Sequence, residues 1–333
     1  MRVALPAAIA LTAVLALGAA PAHDPGPLRG SALGRTGLRL VVAAKPPIVL
    51  DVDSGRVTRL RGAATAGRWP LSVTPVGGRA AVVFAYAASQ RARLWSVRAP
   101  ARLSPLGRGT AMVADADSVW VKSGAHADCS LRHVSLDGRR LDRDRVISCR
   151  TTPTAASPAG LVVNRVRLID PRTGRTLLRT RWGVMAAAGG QLLLAGPGRM
   201  VTLHDVATGT ERRIRRPESI GNLRAESVDP HGHYVTLSTG DPAWQGGGDQ
   251  VVDLWVLDTR TARLTHVPAM PAFVALKLTS TAWTDDGRLV LLARDRDGDR
   301  VAVWRPGQRR LALKPLKLPS RDSAGSDSFA VLR

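Results

Sequence analysis

The residues best suited to ligand contact lie in a loop, 238–249, that carries one tryptophan among glycines and aspartates. Such a loop suits recognition, because tryptophans often anchor interfaces and loops held on a rigid scaffold often carry function. The alternative is a tolerated insertion whose tryptophan folds back onto the rim of the fold. The candidate binding residues of this loop are Asp241, Trp244, Gln245 and Asp249.

A second group of carboxylates lies in the segment Arg294-Asp295-Arg296-Asp297-Gly298-Asp299-Arg300. Alternating carboxylates are typical of calcium-binding loops, but those loops also end in a bidentate glutamate. No such glutamate follows here, and the neighbouring residues are arginines. The pattern therefore favours a hairpin turn without a cofactor, with calcium as the alternative. Asp295, Asp297 and Asp299 remain candidates for ligand contact.

The remaining catalytic and metal-binding patterns are incomplete. His231 and His233 flank Gly232 and could present both rings on one side, but zinc needs at least a third protein ligand and none is visible. No Gly-x-Ser-x-Gly nucleophile motif occurs. The sequence therefore predicts no metal and assigns no catalytic residue, although carboxylates near a central channel could still act as acid and base.

A recurring hairpin organises the chain around these segments. In each copy a short alternating strand runs into an Asp-x-x-Thr/Ser-Gly turn and out into a second strand. The Asp and Thr/Ser side chains bond nearby backbone, and glycine supplies the positive φ that closes the turn. The fourth copy has alanine where the others have glycine. The four copies are 48–56, 165–175, 201–210 and 254–263.

A second unit, a turn with glycine followed by an apolar strand, alternates with the first at 72–83, 227–237 and 283–292. The predicted third strands end about 42 residues apart, and four-stranded propeller blades repeat every 40 to 50 residues. The sequence therefore predicts an all-β fold, a single seven-bladed β-propeller of four-stranded blades over 38–333. Blade four is expected to begin at Ala159. The leftover C-terminal strand, 326–332, is expected to complete blade one and close the ring.

The pattern Ser-x-x-x-x-Gly-Arg/His, an apolar strand and then the Asp-x-x-Thr-Gly hairpin resembles the WD-like repeat of bacterial TolB-type propellers. The usual Pro-Asp-Gly centre of the inner turn survives only as Pro75-Val76-Gly77, Pro230-His231-Gly232 and Asp285-Asp286-Gly287. The resemblance implies a protein-binding platform in the cell envelope. It also implies a functional face formed by the loops between second and third strands and between successive blades.

Residues 1–22 are typical of a secretory signal peptide, with Arg2, an apolar run and the small-residue pattern Ala20-Pro21-Ala22. We predict a flexible segment over 23–37 and no transmembrane segment after the signal is removed. The expected location is outside the cytoplasm, secreted or associated with the cell envelope. There, Cys129 and Cys149, the only cysteines, are expected to pair as a disulfide across a hairpin.

The net charge of +22 predicts an anionic partner, and only five of the 48 basic residues are lysine. Many arginines fall on the predicted outermost strands, where charge also discourages aggregation of sheet edges. Acidic residues instead fall in the predicted loops of the functional face, and that separation would favour a cationic partner there. The arginines are Arg56, Arg59, Arg61, Arg139, Arg140, Arg143, Arg145, Arg175, Arg179, Arg181, Arg212, Arg213, Arg215, Arg216, Arg309 and Arg310, and the acidic residues are Asp128, Asp241, Asp249, Asp295, Asp297 and Asp299.

Together these patterns predict an exported, non-catalytic and monomeric propeller that binds a protein or an anionic cell-envelope polymer. Nucleic acid is not an expected partner, because an exported protein meets envelope polymers first. The alternative function is a metal-dependent hydrolase or lyase for small molecules, with its site at the mouth of the propeller channel.

Overall fold

The computed structural model describes residues 27–44, 46–63, 71–85, 92–125, 128–216, 223–240, 250–274, 281–295, 297–318 and 328–333. Thirty strands lie in these ranges, with one 3-10 turn, Arg61–Ala63, after the fourth. The first half comprises β1 (Gly30–Ala32), β2 (Arg39–Val42), β3 (Ile48–Asp51), β4 (Val57–Arg59), β5 (Leu71–Val76), β6 (Ala80–Ala85), β7 (Ala92–Arg98), β8 (Arg102–Gly109), β9 (Ala111–Ala114), β10 (Ser118–Ala125), β11 (Asp128–Ser135), β12 (Arg145–Ser148), β13 (Pro153–Ser157), β14 (Gly160–Val163) and β15 (Arg167–Ile169). The second half comprises β16 (Thr176–Arg179), β17 (Val184–Ala188), β18 (Gln191–Ala195), β19 (Met200–Asp205), β20 (Glu211–Arg215), β21 (Leu223–Val228), β22 (Tyr234–Gly240), β23 (Gln250–Asp258), β24 (Arg263–His266), β25 (Ala272–Val274), β26 (Thr281–Trp283), β27 (Leu289–Asp295), β28 (Gly298–Trp304), β29 (Leu311–Pro315) and β30 (Phe329–Leu332).

These strands form seven antiparallel blades arranged as a propeller. From the innermost strand outwards, blades two to five are β5–β8, β9–β12, β13–β16 and β17–β20. Blade six is β21, β22 and β23, with β24 and β25 sharing the outermost position. Blade seven is β26–β29. The predicted count of seven four-stranded blades is confirmed.

Blade one takes strands from both ends of the described chain. Its innermost strand is β30, which pairs antiparallel with β2 so that Leu40 lies opposite Val331. β3 and β4 complete the blade. Phe329 is fully buried. The ring is therefore closed by the C-terminal strand, as the repeat pattern predicts.

The core consists of the seven contacts between neighbouring blades. Seven clusters of buried apolar residues lie among the described residues, each shared by two adjacent blades. Successive side chains of a strand point to opposite faces of the blade and so join different clusters. In blade one, Leu40 packs towards blade seven and Val41 packs towards blade two. Each blade is thus buried on both faces, which explains the nearly continuous apolar runs in the second strands.

The turn chemistry agrees with the repeated motif. Asp170 Oδ1 accepts a hydrogen bond from Arg172 N at 2.8 Å, and Oδ2 accepts one from Thr173 Oγ1 at 2.6 Å. The hydroxyl of Thr173 and the backbone N–H of Arg172 hold the pKa of Asp170 below its ordinary value. In the fourth copy Ala262 itself adopts the positive φ, 59°, that glycine supplies elsewhere.

Three details differ from the predicted layout. Blade four begins with β13, before the predicted start at Ala159. The prediction missed this strand because the small residues of Pro153–Ser157 show no apolar alternation. Gly30–Ala32, within the segment predicted as flexible, pairs parallel with β29 at the outer edge of blade seven. β25 bridges to β27 through Val274 and Ala293, which joins the sheets of blades six and seven.

Candidate functional site

The predicted loop of blade six, with Asp241, Trp244, Gln245 and Asp249, lies outside the described residues. Asp295 ends β27, and Asp297 and Asp299 follow in the hairpin to β28. Arg294 Nε donates to Asp299 Oδ1 at 2.8 Å, and Arg300 Nη2 donates to Asp297 Oδ2 at 2.9 Å. The carboxylates of Asp297 and Asp299 are therefore engaged by arginines within their own hairpin.

The paired histidines lie at the inner turn of blade six with ring centroids 5.9 Å apart. His231 Nε2 lies 3.0 Å from the carbonyl oxygen of Asp285 in blade seven, so this ring is engaged between blades. Within the described ranges, no three His, Cys, Asp or Glu residues are grouped closely enough to hold a metal ion.

The disulfide between Cys129 and Cys149 is present, with its Cα atoms 5.0 Å apart. Cys129 lies on β11 opposite Ile147, and Cys149 follows the end of β12. The bond ties the outer edge strand of blade three to its neighbour, where backbone pairing extends over only four residue pairs. The described chain contains no free cysteine.

A cavity of about 430 Å³ lies along the central channel, lined by the innermost strands of blades two to six and the turns that follow them. The inner turns approach each other so closely that glycine is required. A Cβ on Gly78 in blade two would lie 2.7 Å from Pro230 Cγ in blade six and 2.5 Å from Asp285 N in blade seven. Because blade two adjoins neither, the turn of Gly78 reaches across the propeller axis.

Glu226 is the one charged side chain that the seven inner strands direct into this cavity. A register shift between Ala225 and Ser227 places Glu226 at a bulge opposite β22. The hydroxyl of Ser238 donates to Glu226 Oε1. Burial raises the pKa of Glu226, while the Ser238 hydrogen bond and the charge of Arg224 oppose that rise.

Sequence reasoning missed Glu226. The available signal was composition, because Glu226 is one of only three glutamates and lies in an innermost strand otherwise built from small and apolar residues, apart from Arg224. Strict alternation could not place its side chain, since the bulge interrupts the period of two. The same bulge recurs in blades four and five, between Pro153 and Ala155 and between Val184 and Ala186.

A second cavity, about 460 Å³, lies between the outer edge of blade four and the face of blade five, and we call it the arginine groove. Its walls combine three arginines with apolar side chains. The walls include Arg179, Arg181, Trp182, Pro197, Met200 and Arg213. Arg179, Arg181 and Arg213 belong to the predicted set of outer-strand arginines, whereas Trp182 was not singled out from the sequence.

The arginines of the groove carry an excess of positive charge. Arg181 Cζ lies 5.2 Å from the centre of the Trp182 ring, and Trp182 is 37% exposed. Among the described residues neither Arg179 nor Arg213 has an ion-pair partner. The one carboxylate in the wall, Glu211, lies 3.4 Å from His204 Nδ1. The groove therefore combines an apolar floor with uncompensated guanidinium groups.

The loops above the groove are also basic. Thr180 N donates to the carbonyl oxygen of Val166 at 2.9 Å, which brings the loop between β14 and β15 next to the loop before β17. Exposed arginines follow one another around this part of the face, at Arg150, Arg165, Arg181 and Arg199. This face is therefore basic around blades four and five, and none of the acidic residues singled out from the sequence belongs to these two blades.

Ser118, His133 and Asp142 form a hydrogen-bonded series in blade three. Ser118 Oγ lies 2.8 Å from His133 Nε2, and His133 Nδ1 lies 2.9 Å from Asp142 Oδ2. This is the order of a hydrolase triad, but Ser118 is only 3% exposed and a nucleophile must be reachable. The His133 ring stacks on Trp120 with centroids 4.0 Å apart. The series therefore joins β10, β11 and the following loop.

The described residues include no helix that is both long and apolar enough to span a membrane. No protein-family model and no curated protein matches the chain. Among solved structures it is similar to a functionally unknown protein from Desulfotomaculum acetoxidans, with a TM-score of 0.53, 12% identity, and coverage of 89% of this chain and 99% of the other. It is also similar to a chain of a mitotic checkpoint complex, with a TM-score of 0.50, 16% identity, and coverage of 85% and 94%.

A third similar structure is TolB from Acinetobacter baumannii, with a TM-score of 0.48, 11% identity, and coverage of 88% of this chain and 66% of that one. This chain thus spans just under two thirds of the length of that TolB structure. The strand topology confirms the propeller fold that the resemblance to TolB-type repeats implies. Identities this low show the fold alone.

Proposed function

We propose that this propeller is an exported, non-catalytic binding module for an anionic cell-envelope polymer, which it holds in the arginine groove. The observation that carries the proposal is the arrangement of Arg179, Arg181 and Arg213 around an apolar cavity with an exposed tryptophan. Guanidinium groups recognise phosphate and carboxylate through paired hydrogen bonds, and the tryptophan offers a flat surface to a sugar or alkyl backbone.

The groove differs from a surface that is merely charged. Six large apolar side chains are exposed among the described residues, and one of them, Trp182, lies in the wall of the groove beside Arg181. An exposed tryptophan held against an arginine is typical of a binding surface, because both residue types are enriched at interfaces. An anionic polymer with an apolar or sugar backbone would satisfy both kinds of group.

Export is supported by the disulfide. Disulfides persist in oxidising compartments and are rare in the cytosol, so the Cys129–Cys149 bond favours a location outside the cytoplasm. The signal-like segment 1–22 lies outside the described residues. Fractionation of cells that produce the full chain tests this part of the proposal, and recovery of reduced protein from the cytosol alone would contradict it.

The test of the groove compares two triple variants with the same change in net charge. Arg179→Gln/Arg181→Gln/Arg213→Gln alters the groove, whereas Arg56→Gln/Arg59→Gln/Arg309→Gln alters arginines on other edges. The probe is polyphosphate of defined length, measured by biolayer interferometry between 50 and 300 mM salt.

We expect the groove variant to weaken binding at least about tenfold, because charge-assisted hydrogen bonds contribute about 1.5–3 kcal/mol each. The control variant should weaken it only slightly, through the loss of general attraction that salt also screens. Equal losses in the two variants would show that net charge alone attracts polyanions, and the groove would lose its role.

A further inference from the structure

The charged side chains that line the channel cavity are acidic, although the chain as a whole is strongly basic. The chain has a net charge of +22, yet none of the lysines and arginines that the structure describes lines the cavity, whereas Asp115, Glu226 and Asp229 do. Asp229 is committed to its own turn, where Oδ2 accepts from His231 N at 3.2 Å. Asp115 Oδ1 likewise accepts from the next backbone N–H at 2.8 Å. Glu226 is the one of these three carboxylates that lies within an innermost strand, β21.

The geometry of Glu226 leaves one oxygen available. Oε1 accepts the hydrogen bond from Ser238, while no described residue donates to Oε2. Oε2 is also not among the buried polar atoms that lack a partner, so it keeps contact with the cavity. A partly buried carboxylate with a free oxygen costs stability unless a cation or a donor pairs with it.

The remaining wall indicates the kind of cation. The cavity wall combines small polar groups with alanines and methionines, which include Ala156, Ala187, Met112 and Met185. Divalent metal ions need several oxygen or nitrogen ligands, and the described residues offer no such group. A volume of about 430 Å³ is within the range of about 300–1,000 Å³ typical of small-molecule sites.

We propose that the channel binds a small organic cation, a primary ammonium group on an apolar body, through Glu226 Oε2. The ammonium group donates to the carboxylate, and the apolar body lies against the alanine and methionine walls. The site is distinct from the arginine groove, which lies at the outer edge of blades four and five and attracts the opposite charge.

The test uses hexylamine as the probe and hexanol as its neutral analogue, by isothermal titration in an amine-free phosphate buffer at pH 8. Two variants are compared with the unmodified chain: Glu226→Gln, which keeps the shape of the side chain, and Asp144→Asn, which removes a partly exposed carboxylate outside both cavities. We expect hexylamine to bind the unmodified chain and Asp144→Asn alike, and to bind Glu226→Gln at least tenfold more weakly. Hexanol should bind all three weakly.

Equal binding of hexylamine and hexanol, or undiminished binding to Glu226→Gln, would overturn the proposal. A second measurement on the unmodified chain covers the case in which Glu226→Gln fails to fold. Protonation of Glu226 removes the charge that holds the ammonium group, so hexylamine binding should be lost as the pH falls from 8 to 4. Binding that is unchanged across this range would also overturn the proposal.

Discussion

Arg333 Nη1 donates to Asp285 Oδ1 at 2.8 Å, which fastens the residue after the closing strand to the inner turn of blade seven. Its Nη2 lies 3.3 Å from Asp286 Oδ2. The hydrogen bond to Asp285 raises the pKa of Arg333, and the charge of Asp286 adds to this. The ring is thus closed by backbone pairing in β30 and then by ion pairs at one end of the axis.

We predict that the buried part of this closure matters far more than the charged part. Phe329→Ala should lower the free energy of unfolding by about 3–5 kcal/mol, because it empties a fully buried site between blades seven and one. Arg333→Ala should lower it by less than about 1 kcal/mol, since solvent screens this partly exposed pair. Urea unfolding measures both, and a reversed order would contradict the closure described here.

The turn that crosses the axis gives a second prediction, with a matched control. Gly287→Ala places a Cβ in open space at a φ of 76°, so only backbone strain of about 1–2 kcal/mol is expected. Gly78→Ala adds a clash with Pro230 and Asp285 to similar strain, so a further 1–3 kcal/mol, roughly, should be lost. Equal midpoints of thermal unfolding for the two variants would show that the inner turns can separate freely.

The disulfide predicts a sensitivity to reductant that can be assigned to one bond. Closing the loop between Cys129 and Cys149, 20 residues apart, should stabilise the fold by about 3 kcal/mol in the chain-entropy model. Dithiothreitol should therefore lower the melting temperature of the unmodified chain. The double variant Cys129→Ser/Cys149→Ser should melt at that lower temperature with or without reductant, and any further shift in it would point to another cause.

Glu226 predicts an unusual dependence of stability on pH. Burial raises its pKa above the ordinary value of 4.5, so the folded protein binds this proton more tightly than the unfolded chain does. Ionising Glu226 in the folded protein therefore lowers the free energy of unfolding. This loss of stability is absent below pH 4.5, grows as the pH rises to the raised pKa, and is constant above it. Glu226→Gln should therefore be more stable than the unmodified chain at pH 7 and equally stable at pH 4, measured by urea unfolding at each pH. A variant less stable at pH 7 would show that the carboxylate is a structural requirement.

We predict that the hydrogen-bonded series of Ser118, His133 and Asp142 in blade three contributes to stability and not to catalysis. His133→Phe keeps an aromatic ring on Trp120 but leaves Ser118 and Asp142 without their partner, which should cost about 1–3 kcal/mol of stability. His204→Phe breaks a longer contact with the exposed Glu211 and should cost less. Labelling of Ser118 by a fluorophosphonate would contradict the structural role, since that reagent reacts only with an accessible, activated serine.

The blades could be counted from sequence because each repeats a signal that depends on neighbours along the chain. The hairpin at Asp170 combines a capping carboxylate, a threonine and a glycine within five residues, and the structure has the turn at that position. β13 escaped notice because its residues, Pro153–Ser157, are small and face the channel, where no apolar alternation is needed.

The functional surfaces were harder to predict because they depend on contacts between distant segments. Arg179 and Arg213 are 34 positions apart, and only the packing of blade four against blade five makes them walls of one cavity. Glu226 faces the channel through a bulge, which depends on pairing with β22 and cannot be seen in the local pattern. The calcium and zinc alternatives rested on local spacing, and the predicted absence of a cofactor stays a prediction.

The pairing of β2 with β30 joins the first blade to residues almost 300 positions later in the chain. The polypeptide leaves the ribosome or a translocation pore with its amino end first. The edge of β2 therefore stays unpaired until β30, which begins at Phe329, has emerged. Contacts of such long sequence separation form late, and an open edge invites pairing with other chains. A product that terminates before β30 would therefore leave the edge of β2 in blade one unpaired, and we expect it to aggregate and to be accessible to proteases.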